Sequence, residues 1–215
     1  MRYDPRVHHR RSIRLKGYDY SQAGAYFVTI CVRWRERLLG EVVDGETCPN
    51  AYGAIVARCW DDLPRHYPTV ELDAFVVMPN HVHGVILLTN PVAGDVGAGL
   101  KPARSQAAAL SPASVATERS GAGLKPAPTG DGAIVDEMAG EKRRALSEIV
   151  RAFKTFSARR INEARGTAGS PVWQRGYWDH IIRNDRSLRR FQAYIIDNPA
   201  RWEMDQLHPD NPSKW

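Results

Sequence analysis

Three runs of the chain are rich in β-branched and aromatic residues, the hydrophobic pattern typical of β-strands. They cover residues 25–34, 70–78 and 81–88, and the last two are joined through the tripeptide "MPN". A shorter segment, "EVV" at 41–43, is a candidate hairpin strand. The pattern therefore predicts a sheet with at least three long strands.

Helical spacing marks three further segments. Residues 50–64 start with asparagine, a favoured N-cap, and end at a proline. Residues 184–199 predict a final helix, capped by Asn184 or Asp185 and ended before Pro199. A short strand is expected within 170–182. The longest helix is predicted from about 141 to 163, where one face repeats at i, i+3, i+4, i+7 and i+11 through Leu146, Ile149, Val150, Phe153 and Ser157.

This order of elements predicts an α+β fold. The chain runs β-α-β-β, then an insertion, then α-β-α, and its core is the ferredoxin-like βαββαβ pattern. That pattern is an antiparallel sheet with helices on one face. The last helix is an addition to it and carries Tyr194. Because one fold supports many functions, function has to be argued from the side chains.

Residues 91–140 differ in composition from the rest of the chain. They contain 12 Ala, 8 Gly and 5 Pro and no aromatic residue, and the phrase "GAGLKPA" occurs twice, at 97–103 and 121–127. Such a segment cannot bury enough apolar surface to offset its ordering entropy. We expect a disordered insertion within one domain built from 25–90 and 141–203. A basic segment, 1–24, would precede that domain, and a tail, 204–215, would follow it.

Composition narrows the class of protein. No apolar run reaches the roughly 18 residues that a membrane span needs, and the charged N-terminus lacks the apolar stretch of a signal peptide. The three cysteines form no CxxC pair, which argues against a disulfide framework or a cysteine zinc site. We therefore expect a cytoplasmic protein without a membrane partner. Its net charge of +6 suits a polyanion, although charge alone gives only salt-sensitive, nonspecific binding.

Two histidines interrupt the most hydrophobic run, "VVMPNHVHGVILL". Residues i and i+2 of a strand point to the same face, so His81 and His83 lie side by side. Two satisfied polar residues on a sheet face are the plain interpretation. A pair of imidazoles at this spacing in an apolar run favours a shared cation instead.

The final helix offers further chemical groups. Its core stripe is predicted to be Leu188, Phe191 and Ile195. At the edge of that stripe lies Tyr194, with Asn198 one turn after it and Arg190 one turn before it. Together they present a phenol, an amide and a guanidinium. A cation can polarise a phosphodiester, an arginine can stabilise developing charge, and a phenol can attack. Taken alone, however, a boundary tyrosine and a helix-ending asparagine are equally consistent with structural roles.

Several phrases resemble one protein family. "MPNHVHGVI" looks like the His-hydrophobe-His motif of the HUH-superfamily single-tyrosine transposases. "VWQRGYWDHIIRN", "FQAYIIDNPARW" and "HRRSIRLKGYDYSQAGAYFVTICV" resemble one branch, the REP-associated tyrosine transposases, which are tied to repetitive extragenic palindromes in bacterial genomes. The resemblance covers about 9–89 and 142–203. The insertion at 91–140 departs from the family pattern.

The resemblance implies roles for individual residues. It makes His81 and His83 metal ligands, Tyr194 the nucleophile, and Asn198 the polar residue that completes the metal site. It implies Mg²⁺ or Mn²⁺, whereas two imidazoles by themselves would also suit zinc. Two other tyrosines, Tyr177 in an expected turn and Tyr26 at the start of a core strand, are expected to be structural.

The implied function is a metal-dependent single-stranded DNA endonuclease and strand transferase that acts at palindromic hairpins through a 5′-phosphotyrosine. No nucleotide cofactor is expected, and the protein would be a monomer or homodimer. Residues 142–202 hold 14 Lys or Arg against 5 Asp or Glu, and aromatics among the basic residues can stack on unpaired bases. The alternatives are a hairpin-binding protein without cleavage and a phosphohydrolase without a covalent step. The basic residues expected to contact DNA are Arg10, Arg11, Arg14, Lys16, Arg175, Arg183 and Arg190.

Overall fold

The structure is a computed structural model, and it describes residues 15, 17–90 and 143–211. The predicted insertion at 91–140 and most of the basic segment before residue 17 lie outside the described residues. So do four of the residues expected to contact DNA, namely Arg10, Arg11, Arg14 and Lys16.

A four-stranded antiparallel sheet forms the centre of the described fold. Its order is β4-β5-β1-β6, and β2 pairs with β3 in a separate hairpin. The two middle strands are the first and third of the βαββαβ pattern, which confirms the predicted ferredoxin-like α+β fold. The six strands are β1 (Gly24–Cys31), β2 (Gly40–Val43), β3 (Glu46–Pro49), β4 (Val70–Met78), β5 (His81–Leu88) and β6 (Trp178–Ile182).

Two of the four described helices begin where an asparagine side chain caps the first turn. Asn50 Oδ1 accepts from the backbone N–H of Tyr52 at 2.9 Å, and Asn184 Oδ1 accepts from that of Ser187 at 2.8 Å. A 3₁₀ turn, Arg33–Arg35, follows β1, and another, Pro199–Met204, follows the last helix. The helices are α1 (Ala51–Asp61), α2 (Leu63–His66), α3 (Leu146–Ala164) and α4 (Asp185–Asp197).

The sheet is covered differently on its two faces. Alternate residues of β1 and β5, such as Val28 and Ile86, pack with α1 and α3 in the larger core. The opposite face carries a smaller cluster in which Phe27 and Val85 meet Ile195 of α4. The two helices of the ferredoxin-like unit thus share one face, and the additional helix covers part of the other. None of the helices in the described part of the chain is long and apolar enough to cross a membrane.

Gly84 explains how β5 fits between these layers. It points toward the larger core, where a Cβ would collide with the indole of Trp60. Trp60 in turn stacks on Phe75 with ring centroids 4.4 Å apart. The glycine lets α1 approach the strand whose other face carries the two histidines, so the position of β5 depends on it.

Candidate functional site

The two histidines of β5 meet on the face covered by α4. Both imidazoles are buried, and His81 Nε2 lies 3.0 Å from His83 Nε2. Since both point away from the main core, the alternation of the strand brings the two Nε2 atoms to one place.

Neighbouring side chains hold each imidazole through its other nitrogen. His81 Nδ1 donates to Asn80 Oδ1 at 2.7 Å, while Asn80 Nδ2 donates to the carbonyl of Leu207 at 2.7 Å. His83 Nδ1 lies 2.8 Å from the hydroxyl of Thr29 on β1. A proton on Nδ1 of His81 leaves a lone pair on its Nε2, and such outer partners orient imidazoles that bind metals.

Asp205 is a candidate metal ligand that the sequence did not reveal. It follows the 3₁₀ turn Pro199–Met204, inside the segment expected to be a tail, and its Oδ2 lies 3.8 Å from His81 Nε2. His81, His83 and Asp205 offer ligand atoms that all lie within 4.8 Å of one another. An acidic residue seven positions after Asn198 was the only signal, and nothing in hydrophobic spacing links it to β5.

Asn198 lies beside this group. Its Nδ2 donates to Asp205 Oδ2 at 3.1 Å. Its Oδ1 is buried and has no hydrogen-bond partner among the described residues. A buried amide oxygen left unpaired is costly, and a cation is a partner that would satisfy it. The predicted ligand Asn198 therefore lies next to the site, and Asp205 is a second candidate for the third ligand.

Burial keeps both imidazoles neutral. It lowers the pKa of His81 to about 3, with a further contribution from the Arg35 guanidinium. Burial also lowers the pKa of His83 well below its ordinary value, and His81 adds to this while Asp205 opposes it. Neutral imidazole is the form that binds a metal. Two neutral imidazoles, a carboxylate and an unpaired amide oxygen form a donor set that fits a divalent cation.

Tyr194 extends from α4 to the same point. Its Oη lies 3.4 Å from His83 Nε2, and 44% of the residue remains exposed. Burial raises its pKa to about 12, with the charge of Asp205 acting in the same direction and a hydrogen bond with Asn198 opposing it. The phenol is therefore protonated at neutral pH in the absence of a cation, and it is accessible to a substrate.

The two tyrosines expected to be structural, Tyr26 and Tyr177, both pack in or against the larger core. Tyr26 is fully buried in the larger core and its hydroxyl donates to the carbonyl of Gln22 at 3.0 Å. Tyr177 packs against that same core and lines the rim of the groove described next.

A groove of about 1640 Å³ opens onto His83 and Tyr194. Arg175 and Arg190, both expected to contact DNA, line it, and so do Arg35 and Arg201. The carboxylates that line it are Asp197 and Asp205, so the groove has an excess of positive groups. Arg183 lies instead at a smaller cavity beside Leu15 and Asn184. Of the three described arginines that were expected to contact DNA, the structure thus places Arg175 and Arg190 in the groove and Arg183 outside it.

Comparison with known proteins identifies relatives of this chain. It is 35% identical over 212 residues to an uncharacterised protein of Haemophilus influenzae (strain ATCC 51907 / DSM 11121 / KW20 / Rd), covering 97% of this chain and 98% of that protein. It is 34% identical over 50 residues to a protein of the same strain named "Putative REP-associated tyrosine transposase", covering 19% of this chain and 28% of that protein. No protein-family model matches the sequence.

Two solved structures are similar to the chain. One is a REP-associated tyrosine transposase bound to a REP hairpin, with a TM-score of 0.46, 19% identity, and 94% of this chain and 90% of that chain covered. The other is named a putative transposase of Deinococcus radiodurans R1, with a TM-score of 0.39, 16% identity, and 85% and 94% covered.

Proposed function

Because this chain belongs to the same family as the Haemophilus influenzae protein that is 35% identical to it, and because it resembles the REP-associated tyrosine transposases, we propose that it nicks and rejoins single-stranded DNA. The reaction would proceed through a covalent 5′-phosphotyrosine on Tyr194 and would depend on a divalent cation. The observation that carries the proposal is the position of the Tyr194 hydroxyl, 3.4 Å from an imidazole of the two-histidine centre.

His81, His83 and Asp205 would hold the cation, with Asn198 beside them. When bound, Mg²⁺ or Mn²⁺ would supply polarisation of the phosphodiester. The carboxylate and amide oxygens are the ligand types that suit these hard cations, whereas the imidazoles also suit softer ones. The proposal of Mg²⁺ or Mn²⁺ therefore rests on the oxygen donors together with the family resemblance.

The covalent step transfers one phosphorus between two oxygens. Tyr194 Oη loses its proton to solvent as it attacks the phosphorus, the bond from phosphorus to the 3′ oxygen breaks, and that oxygen leaves as a protonated 3′-hydroxyl. Arg190, one turn before the tyrosine on α4, lines the groove and would stabilise the charge on the phosphoryl oxygens. Attack by a free 3′-hydroxyl reverses the step and releases Tyr194. The phosphotyrosine retains the energy of the broken bond, so no nucleotide cofactor enters the reaction.

The proposed partner is DNA with a palindromic hairpin. The excess of arginines in the groove suits a nucleic-acid backbone. The hairpin form is suggested by the name of the similar transposase, which was solved with a REP hairpin. Action on chromosomal DNA is consistent with a cytoplasmic location, and either a monomer or a homodimer can present this groove.

The test is a search for the covalent complex. The protein is incubated with single-stranded hairpin DNA and Mn²⁺, and a denaturing gel is read for a protein–DNA adduct. We expect the adduct with the wild type and with Tyr177→Phe, and none with Tyr194→Phe, which loses only a hydroxyl. Binding without cleavage would identify a hairpin-binding protein, and cleavage without an adduct would identify a phosphohydrolase. Either outcome, or an adduct formed by Tyr194→Phe, contradicts the proposal.

A further inference from the structure

Trp178 occupies a position that the proposed reaction does not use. It is the first residue of β6, lines the groove, and is 43% exposed. It pairs directly with Thr29 of β1, and Thr29 pairs directly with His83 of β5. Residues directly opposite one another in an antiparallel sheet project on the same face. The indole therefore lies on the same face as the metal-ligand candidates, in one row across three strands.

The sheet fixes how far the indole is from the reaction centre. Neighbouring strands lie about 4.8 Å apart, so the backbones of Trp178 and His83 are separated by roughly 10 Å. A DNA strand whose phosphate lies at His83 and Tyr194 would have its nearby bases over this row. Thr29, between the two, already contacts His83 Nδ1.

The segment that leads into Trp178 is held at several points. The backbone N–H of Gln174 donates to the carbonyl of Cys31 at 2.8 Å. The ammonium of Lys154 on α3 donates to the carbonyls of Gln174 and Gly176 at 2.7 and 2.8 Å. These contacts fix the loop before β6, so the indole is presented from a rigid element, as an effective contact surface requires.

The walls of the groove near Trp178 suit a single strand. Arg175 lies three residues before it, and Arg190 and Arg201 line the groove from α4 and the turn after it. Met204, 75% exposed, adds a second apolar surface. A basic channel that follows the backbone, combined with aromatic rings on which bases stack, is the usual way to bind single-stranded nucleic acid.

We propose that Trp178 is the stacking platform for an unpaired base next to the cleaved phosphate. This inference rests on the proposed function, since it assigns a subsite to the same DNA strand. It makes Trp178 a positioning residue for the substrate. An indole that merely closes the edge of the sheet would affect stability but would be indifferent to which base is present.

The experiment removes bases one at a time. All proteins carry Tyr194→Phe, so that binding is measured without cleavage. The probes are fluorescent DNA hairpins with a single-stranded extension on the 5′ or the 3′ side, each with one abasic site at successive positions. With Trp178 present, one abasic position near the foot of the hairpin should raise the Kd by on the order of tenfold. With Trp178→Ala, intact DNA should show a similar loss, and that abasic position should no longer matter.

Further variants separate stacking from structure. Trp178→Phe keeps an aromatic face and should retain most of the sensitivity to the abasic site, whereas Trp178→Leu keeps apolar bulk and should lose it. This pair decides the matter even where the alanine variant fails to fold. Phe156→Ala is the control, because Phe156 is half-exposed on α3, a helix of the opposite face, and it should leave every Kd unchanged.

Two results would overturn the inference. One is an unchanged Kd for intact DNA in Trp178→Ala or Trp178→Leu. The other is that, at every abasic position, the loss of affinity from the substitution and the loss from the abasic site simply add. Both are independent of catalysis. If Tyr194 forms the adduct but the effect of the abasic site does not depend on Trp178, only the stacking proposal is contradicted. If the effect of the abasic site depends on Trp178 but no adduct forms, only the proposed covalent reaction is contradicted.

Discussion

At the scale of single residues, the open question for the candidate metal centre is whether an oxygen of Asp205 or of Asn198 is the third ligand beside the two histidines. Asp205 offers a carboxyl oxygen, Oδ2, that lies 3.8 Å from His81 Nε2, whereas Asn198 reaches the group through a hydrogen bond to Asp205. We therefore predict that Asp205→Ala weakens Mn²⁺ binding more than Asn198→Ala. For Asn198→Ala we expect roughly the 10- to 100-fold loss typical of residues that orient a ligand. Isothermal titration of the metal-free protein with Mn²⁺ measures both.

His81→Ala provides the reference for full loss of the centre. It should abolish Mn²⁺-dependent cleavage while hairpin binding survives, because DNA affinity comes mainly from contacts to the backbone phosphates. A greater loss of Mn²⁺ affinity in Asn198→Ala than in Asp205→Ala would assign the third ligand to the amide. Full cleavage by His81→Ala would contradict the proposed metal site altogether.

The sequence was informative about some of these residues and silent about one. His81 and His83 could be paired from the sequence because the two-residue period of a strand is a local property. Asp205 could not, since its position depends on the turn Pro199–Met204 folding back toward β5. The segment just after that turn is held by long-range contacts, such as Asn80 Nδ2 to the carbonyl of Leu207, which no local pattern encodes.

At the scale of elements, the placement of β5 decides whether the histidines can meet α4. Gly84→Ala would bring a Cβ into the Trp60 indole, and overpacking of this kind costs about 1–3 kcal/mol. We expect a lower free energy of unfolding in urea for this variant and weaker Mn²⁺ binding, since the shift is transmitted to His83 next to it. Gly24→Ala in β1 is the matched control, because the atoms nearest its Cβ lie at ordinary contact distances, 3.7 Å and beyond. Equal stability of the two variants would contradict the packing argument.

The hydrophobic periodicity of the sequence is sufficient to predict the strands and helices but not how each of them packs. The strands and the capped helices could be predicted because spacing and asparagine caps are local signals. The face on which α4 packs could not be read from its own stripe of Leu188, Phe191 and Ile195, because an amphipathic helix fits either side of a sheet. It is decided by the partners that Phe27 and Val85 provide.

At the scale of the whole molecule, the buried histidines should make stability depend on pH. The unfolded chain protonates His81 below about 6.5, whereas the folded chain does so only near its lowered pKa of about 3. Between these values the unfolded state binds more protons, so the free energy of unfolding falls as the pH falls, by up to about 1.4 kcal/mol per pH unit for one proton. His83 acts in the same direction.

Urea unfolding in the presence of EDTA, at pH 7 and at pH 5, measures this effect. His81→Gln removes one of the two titrating groups, so its stability should decline less between the two pH values than that of the wild type. Identical declines would show that His81 is not kept neutral in the folded protein.

The last prediction concerns the segment between the two halves of the domain. Arg143 Nη1 donates to Asn90 Oδ1 at 2.9 Å, so the points where the chain leaves β5 and approaches α3 are within reach of one arginine side chain. A short linker can therefore close the chain, and closing a shorter loop costs less entropy than closing a long one. We expect that replacing residues 91–140 with a short Gly-Ser linker preserves the thermal unfolding midpoint, Mn²⁺ binding and adduct formation on hairpin DNA. A control with the order of residues 91–140 scrambled should behave in the same way, because the candidate ligands and groove residues named above lie within 17–90 and 143–211. Loss of the adduct in the linker variant, with Mn²⁺ binding intact, would show instead that the segment contributes to handling the DNA.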